Sequence, residues 1–205
     1  MLKRLFFFFA TSLLLISSCG CSTPYVTPIV TASDGSVIDD FYFIFEDASW
    51  TGEPWDPQQN PEIFAVCLDT KNNVICQSRG YYNFGYETIS KKYYMPQERL
   101  QALYDDIIKY DMMSYSGPDV VGYLRRKDSG YFIKYTFRIH GDEYSVIADE
   151  TALINPLVFL NGHVPEEYYN LSAFTALVMN VYYGDTKEFR SFPREGWSPA
   201  GIPDY

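Results

Sequence analysis

The feature that most restricts the fold is a run of alternating apolar and polar residues over positions 131–139. Its apolar members are Tyr131, Ile133, Tyr135, Phe137 and Ile139. Such alternation is typical of a β-strand with one buried face. The dipeptide Gly141-Asp142 favours a two-residue turn, which would place Ile139 opposite Tyr144 and Phe137 opposite Val146. Both strands would then bury the same face, so the segment predicts an antiparallel hairpin.

Two segments carry the three-to-four-residue spacing of amphipathic helices. The first, 96–110, begins with a proline and has apolar residues at Leu100, Leu103, Tyr104, Ile107 and Ile108. The second has apolar residues at Leu171, Phe174, Leu177, Val178, Val181 and Tyr182. We expect these faces to be buried against a sheet. Asn170 or Ser172 can cap the start of the second helix, and Gly184 can end it.

The remaining predicted strands are short and connected by turns. Segments 39–47, 62–68, 74–78 and 82–86 are rich in aromatic and other apolar residues. Strands joined by hairpins and accompanied by two helices predict an α+β fold with an antiparallel sheet. The chain is long enough for one domain with a proper core, which we expect over residues 37–197. Residues 198–205 would form a C-terminal tail.

The N-terminus has the organisation of an export signal. A basic start at Lys3 and Arg4 precedes a run of about a dozen mostly apolar residues, and the small residues Ser17 and Ser18 follow. The run is shorter than the roughly 20 residues that a transmembrane helix needs. Residues 1–18 are therefore predicted to be a cleaved signal peptide, and the rest of the chain is expected outside the cytoplasm.

Residues 16–19, Ile-Ser-Ser-Cys, resemble a lipobox, the processing motif of bacterial lipoproteins. The resemblance implies that the thiol of Cys19 receives a diacylglycerol and that Cys19 becomes the mature N-terminus. Cys21 is a second candidate, but residues 18–20 lack the branched apolar residue of the motif. Residues 19–36, which are rich in Ser, Thr and Pro, would be a flexible tether between the domain and the cell membrane.

The charge of the mature chain excludes some partners. Loss of Lys3 and Arg4 with the signal peptide would change the formal net charge from −10 to −12. Such an acidic chain is not expected to bind nucleic acid, nor to grip anionic lipid through a basic patch. Attachment to the membrane would therefore depend on the lipid.

The order of the segments resembles that of small uncharacterised lipoproteins from Gram-positive bacteria. The resemblance covers residues 37–197 and comprises an opening segment at 38–43, a helix led by Pro96 that runs into 110–115, the strand pair near 132–147, a late helix and an aromatic tail. It implies an extracytoplasmic α+β domain, and it brings no known activity or site residue.

No catalytic or nucleotide-binding motif is found in the sequence. The patterns HExxH, GxSxG, SxxK, GxGxxG and GxxxxGK[ST] are all missing. His140, which the hairpin register places opposite Glu143, and His163 are expected to be exposed. Asp105-Asp106 is expected on the solvent face of its helix, because adjacent helical residues point in different directions. Glu166-Glu167 lies in a predicted loop, where a glycosidase-like carboxylate pair stays a minor alternative.

Cys67 and Cys76 flank a predicted two-residue turn at Lys71-Asn72, which would place them directly opposite each other. Export permits a disulfide, and closing a loop of about ten residues would stabilise the fold by roughly 2.5–3 kcal/mol. The alternative is two buried thiols. A metal ion needs more ligands than these two, and none lies near them in sequence, so we predict no metal and no cofactor.

Aromatic residues are concentrated near the middle of the chain, at Tyr81, Tyr82, Phe84, Tyr86, Tyr93 and Tyr94. They are either core residues or an exposed platform for a protein or a carbohydrate. The leading hypothesis is a lipid-anchored, non-catalytic binding or interaction module on the extracytoplasmic side of the cell membrane. The alternatives are an envelope-acting enzyme whose site is assembled from residues distant in sequence, and an accessory subunit of a membrane complex.

Overall fold

The computed structural model of the protein describes residues 29–51, 65–81, 85–118, 121, 129–149 and 168–193. Within these ranges the strands are β1 Val30–Thr31, β2 Val37–Ile38, β3 Tyr42–Thr51, β4 Ala65–Asp69, β5 Val74–Tyr81, β6 Gly85–Lys92, β7 Ser129–Ile139 and β8 Asp142–Asp149. The helices are α1 Gln97–Lys109, α2 Tyr169–Leu177 and α3 Lys187–Arg190, with a 3-10 turn at Met112–Tyr115 and a π-helix at Val178–Tyr183. The predicted signal peptide, residues 1–18, and the predicted tail, residues 198–205, lie outside the described ranges.

Strands β3 to β8 form one antiparallel sheet, in the order β6-β5-β4-β3-β7-β8. Strands β1 and β2 form a separate antiparallel ribbon. The helices α1 and α2 bury apolar residues in the same core as the large sheet. The predicted α+β fold with an antiparallel sheet is therefore confirmed.

The hairpin of β7 and β8 has the predicted buried faces but a different turn. The turn is His140-Gly141, whose φ angles of 53° and 86° suit a tight turn of left-handed residues. Phe137 consequently lies opposite Tyr144 rather than Val146. The displacement from the predicted register is two residues, so every side chain keeps its predicted face.

One face of the large sheet, which we call the helix face, carries the aromatic core. Phe43, Phe45, Tyr135 and Phe137 are all completely buried. Phe174 of α2 lies against this layer, with its ring centroid 6.1 Å from that of Phe43 and 5.4 Å from that of Tyr135. These edge-to-face contacts are the preferred geometry of aromatic pairs, and they fix α2 on the sheet.

Helix α1 occupies the segment predicted for it. Pro96 precedes its first residue, and Tyr110 follows its last. Four of the five predicted face residues are buried, namely Leu100, Leu103, Tyr104 and Ile107. Ile108 is 42% exposed, so its predicted burial was wrong. At about 100° per residue, Ile108 lies roughly 80° from Leu100 and falls beside the stripe that contacts the core.

The second helix departs from the regular spacing assumed for it. After α2 the chain continues as the π-helix, whose i to i+5 hydrogen bonds widen the turn. Tyr182 and the neighbouring Tyr183 are both buried, whereas Val181 is 41% exposed and Leu177 is only half-buried. The predicted burial of Val181 was therefore wrong, and Tyr183 was missed.

The ends of the second helix also differ from expectation. The helix begins at Tyr169 without a side-chain cap, so Asn170 and Ser172 do not have the predicted role. Gly184 ends the π-helix as predicted, but its φ of −66° is an ordinary helical value. A Cβ atom at Gly184 would collide with the carbonyl oxygen of Met179. Glycine is required there for close approach, because the N–H of Gly184 donates to that oxygen at 3.0 Å.

The folded domain begins earlier than predicted. Val30 lies opposite Ile38 in the ribbon, and both side chains are buried. A turn closed by the bond from Ala32 N to Ser36 O, at 2.9 Å, joins the two strands. The predicted tether of residues 19–36 is therefore too long, because its residues from Val30 onward belong to the fold. None of the helices in the described ranges is long and apolar enough to span a bilayer.

Candidate functional site

Several predicted site residues lie outside the described ranges. They are Cys19, His163, Glu166 and Glu167. Of the aromatic cluster predicted as core or platform, only the side chains of Tyr93 and Tyr94 are described. Tyr93 is buried and Tyr94 is 51% exposed, so these two neighbours are divided between the core and the surface.

His140 is exposed at the tip of the hairpin, as predicted. Its predicted cross-strand pairing with Glu143 was wrong, because His140 belongs to the turn and Glu143 lies opposite Arg138. On α1, Asp105 is exposed as expected. Asp106 is instead half-buried and accepts a hydrogen bond from the Tyr182 hydroxyl at 2.5 Å, so it attaches the π-helix to α1.

Cys67 and Cys76 are both buried thiols, and no disulfide joins them. The turn between their strands spans residues 70–73, but the pairing of Leu68 with Ile75 keeps the predicted register. Cys67 is the extra residue of a β-bulge, because Phe45 pairs with Leu68 and the next residue, Glu46, pairs with Val66. The bulge re-aims the side chain of Cys67.

The bulge accounts for the two separate thiols. Cys67 points to the helix face, where its thiol forms side-chain hydrogen bonds with Asp47 and Tyr183. Cys76 follows Ile75, which is buried on the helix face, so alternation along β5 directs Cys76 to the opposite face. A disulfide needs Cβ vectors that converge, and these diverge across the sheet.

Asp47, Cys67 and Tyr183 form a polar cluster under the π-helix. Asp47 is on the helix face because it lies opposite Ile133, which is completely buried. The ring of Tyr183 packs edge-on against Phe45 with centroids 5.6 Å apart. The hydroxyl of Tyr183 donates to the carbonyl oxygen of Cys76 at 2.7 Å. The cluster thus links β3, β4 and β5 to the end of the second helix.

The surroundings of Asp47 and Tyr183 raise the pKa values of both side chains. Burial raises the pKa of the Asp47 carboxyl, and the hydrogen bond with Cys67 opposes this effect. Burial also raises the pKa of Tyr183, and the neighbouring Cys67 and Asp47 raise it further. On the opposite face of the sheet, burial and the charge of Asp69 likewise raise the pKa of the Cys76 thiol. A nucleophile or general base must be available in its deprotonated form, which this arrangement disfavours.

The raised pKa of Asp47 gives a prediction about stability. Between the ordinary pKa of 3.8 and the higher native pKa, the folded chain binds the proton more tightly than the unfolded chain. Stability from this group is therefore present at low pH and is lost as pH rises through the native pKa. Asp47→Asn should remove that loss, so its stability relative to wild type should increase from pH 4 to pH 8. Each tenfold difference in proton affinity between the folded and unfolded chains changes the free energy of unfolding by about 1.4 kcal/mol.

Urea denaturation of both proteins across this pH range measures the difference. Asp142→Asn, which changes an exposed carboxyl at the start of β8, is the matched control. A constant difference between wild type and Asp47→Asn at every pH would show that folding does not raise the pKa of Asp47.

The other face of the large sheet, which we call the open face, carries charged side chains around Tyr42. The Lys71 ammonium lies 4.5 Å from the centroid of the Tyr42 ring. The Tyr42 hydroxyl donates to the carboxylate of Glu143. Arg138 Nε lies 3.2 Å from Asp40 Oδ2. Burial and the bond to Glu143 raise the pKa of Tyr42 to about 12, so its hydroxyl remains a donor at neutral pH.

The centre of the open face is a mixed surface of apolar and charged residues. Ile44 lies opposite Thr136, and Glu46 lies opposite Lys134. All four are half-buried, and alternation along β3 and β7 directs them away from the core aromatics. Among the described residues, the buried side chains of the helices belong to the same core as those of the helix face. Glu46, Lys134 and Arg138 therefore place partly exposed charges of both signs on strands that the core holds in place, whereas Tyr42, Asp69 and Cys76 on the same face are buried.

Asp47, Tyr183 and Tyr42 were not predicted as site residues from the sequence. A signal existed for Asp47, because it continues the inward alternation of Phe43 and Phe45. No signal existed for Tyr183, because regular α-helical spacing does not bring it to the face of Phe174 and Tyr182. Alternation along the strand predicts that Tyr42 points away from the core, but its partners Lys71 and Glu143 lie far away in sequence.

Comparison with known proteins adds no family to these observations. No protein-family model matches the chain. No match was found among curated proteins either. The resemblance to small lipoproteins of Gram-positive bacteria therefore stays a prediction.

Proposed function

We propose that this chain is an extracytoplasmic lipoprotein, anchored to the cell membrane through a lipid on Cys19, whose domain is a non-catalytic binding or interaction module. The export signal and the lipobox-like residues 16–19 support the anchor. The acidic net charge argues against nucleic acid as a partner. The expected partner is a protein or a carbohydrate of the cell envelope.

The open face of the sheet is the observation that carries this proposal. It combines the half-buried apolar Ile44 with charges of both signs at Glu46, Lys134 and Arg138. Mixed charges on a rigid surface favour specific recognition, because a wrong partner places like charges together. Strands also hold such groups more accurately than loops do.

A second candidate function, an envelope-acting enzyme, is favoured by the cluster of Asp47, Cys67 and Tyr183. This cluster joins a thiol, a carboxyl and a phenol from three separate parts of the chain. Perturbed pKa values are typical of active sites, although structural networks produce them too. Binding is the better supported function, because the burial that raises the pKa values of Asp47 and Tyr183 disfavours the deprotonated forms that a nucleophile or general base needs.

Site-specific photocrosslinking tests the binding face in the native envelope. A benzophenone side chain at Thr136 or Ser90, both on the open face, should form a covalent adduct after irradiation. The matched control is the same side chain at Glu98, an exposed position on α1. Mass spectrometry of the adduct then distinguishes a protein from a glycan.

The photocrosslinking result supports the proposal if adducts arise from the open face and not from Glu98. Adducts that form only from Glu98, or equally from all three positions, would contradict an open-face binding module. An activity that is lost in a folded Cys67→Ala protein would favour the enzyme instead.

A further inference from the structure

Two glutamines of α1 bind the backbone of the N-terminal segment. Thr31 N donates to Gln101 Oε1 at 2.8 Å, and Gln101 Nε2 donates to Thr31 O at 2.9 Å. Ile29 N donates to Gln97 Oε1 at 3.3 Å, and Gln97 Nε2 donates to Ile29 O. Each glutamine therefore satisfies both backbone groups of one residue, as a neighbouring strand would.

The spacing of the two glutamines matches an extended chain. Residues four apart in an α-helix are separated by about 6 Å along its axis. Residues two apart in a strand are separated by about 6.6 Å, and their polar groups point to the same side. Gln97 and Gln101 on α1 are thus in register with Ile29 and Thr31 on β1. The two side-chain amides act as a third strand beside the β1–β2 ribbon.

The residue between the two bound positions secures the segment. Val30 is completely buried and belongs to the main core. Gln101 Nε2 also donates to Asp105 Oδ1 at 2.9 Å, one turn further along α1, which orients its amide. Beyond the ribbon, the ring of Phe41 packs edge-on against Tyr104, with centroids 5.5 Å apart. Polar bonds and apolar contacts therefore hold the same segment on α1.

The bound segment lies at one end of the large sheet, which we call the near end. The ribbon leads into β3 at Tyr42, and Asp40 accepts a hydrogen bond from Gly141 N in the hairpin turn at 2.7 Å. Helix α1 begins five residues after β6 ends at Lys92, so it starts at the same end of the sheet. The turns at 70–73 and 140–141 also lie at the near end, because Val74 pairs with Lys92 and Arg138 pairs with Tyr42. Strands β3, β5 and β8 finish at the opposite end.

We propose that Gln97 and Gln101 form a clasp that fixes the exit of the membrane tether, so that the near end of the sheet faces the membrane. This inference rests on the proposed lipid at Cys19. With the clasp closed, the tether is limited to residues 19–28. Ten residues reach at most about 35 Å when extended, and about 16–19 Å on average when flexible.

The length of the sheet, compared with the span of the tether, means that the exit point of the tether determines which end of the sheet lies near the membrane. Strand β7 has 11 residues and is therefore about 36 Å long. The far end of the sheet thus lies farther from the anchor than the average span of the tether. Opening the clasp would add residues 29–36 to the tether and lengthen its average span to about 21–25 Å. The closed clasp therefore keeps the near end close to the lipid.

Hydrogen exchange of the full mature chain tests the clasp itself. In Gln101→Ala, the peptide that contains Thr31 should exchange at least about tenfold faster, while peptides from β3 and β7 should be unchanged. Gln101→Glu keeps an acceptor for Thr31 N and should have a smaller effect. Glu98→Ala, at an exposed position on the same helix, should have none. Unchanged exchange at Thr31 in Gln101→Ala would overturn the clasp.

Energy transfer to labelled lipid tests the orientation. A fluorescent side chain is placed at Asn72, in a near-end turn, or at Thr88, four residues before the near end of β6. In vesicles with acceptor lipid, transfer should be stronger from Asn72, and Gln97→Ala with Gln101→Ala should reduce the difference. Equal transfer from both positions would overturn the orientation. No transfer from either position would instead show that the lipid anchor fails.

Discussion

Leu103→Ala will lower the free energy of unfolding by about 2–5 kcal/mol, and Ile107→Ala will lower it by a similar amount. Both side chains are completely buried where α1 meets the sheet. Truncation removes apolar contacts and leaves a cavity that the aromatic layer cannot easily fill. Domains are typically stable by about 5–15 kcal/mol, so one substitution is serious and the double variant is expected to unfold.

Ile108→Ala is the matched control for this prediction. Ile108 is on the same helix, next to Ile107, but is 42% exposed. Its truncation should change stability by no more than about 0.5 kcal/mol. Urea denaturation followed by circular dichroism measures all three variants. Equal, small losses from Leu103→Ala and Ile108→Ala would contradict the packing of α1 on the sheet.

The residue pattern was sufficient to predict the architecture. Alternation over 131–139 is a local property, and it identified the buried face of β7 without reference to the rest of the chain. The turn was misplaced because Gly141-Asp142 and His140-Gly141 both fit a two-residue hairpin. The structure adopts the second, with positive φ at His140 and Gly141. A two-residue displacement preserves the faces, so this error left the core prediction intact.

Features that depend on irregular backbone could not be predicted in the same way. The bulge at Cys67 and the π-helix at Val178–Tyr183 each break the regular periodicity on which sequence analysis depends. The bulge separated two thiols that a regular ladder would have placed side by side. The π-helix brought Tyr183 to the core beside Tyr182. Both irregularities meet at the polar cluster with Asp47.

The clasp could not be predicted from the sequence for a different reason. Gln101 and Thr31 are separated by 70 positions in the sequence, and glutamine on a helix is an ordinary exposed residue. Local pattern therefore assigned residues 29–36 to the tether on composition alone. The ribbon became recognisable only when α1 supplied partners for the backbone of β1.

Cys19→Ala will abolish lipid attachment and release the protein from the membrane fraction. The lipobox-like residues 16–19 place Cys19 at the expected modification site. One acyl chain gives only marginal membrane binding, whereas two anchor a protein stably. The acidic net charge of the chain disfavours attachment to an anionic membrane surface, so loss of the lipid should convert stable attachment into none.

Radiolabelled fatty acid incorporation in growing bacteria measures this directly, with Cys21→Ala as the matched control two residues away. The lipoprotein proposal predicts label in the wild type and in Cys21→Ala, and none in Cys19→Ala. Label that persists in Cys19→Ala, or that is missing from the wild type, would contradict the membrane anchor on which the proposed function rests.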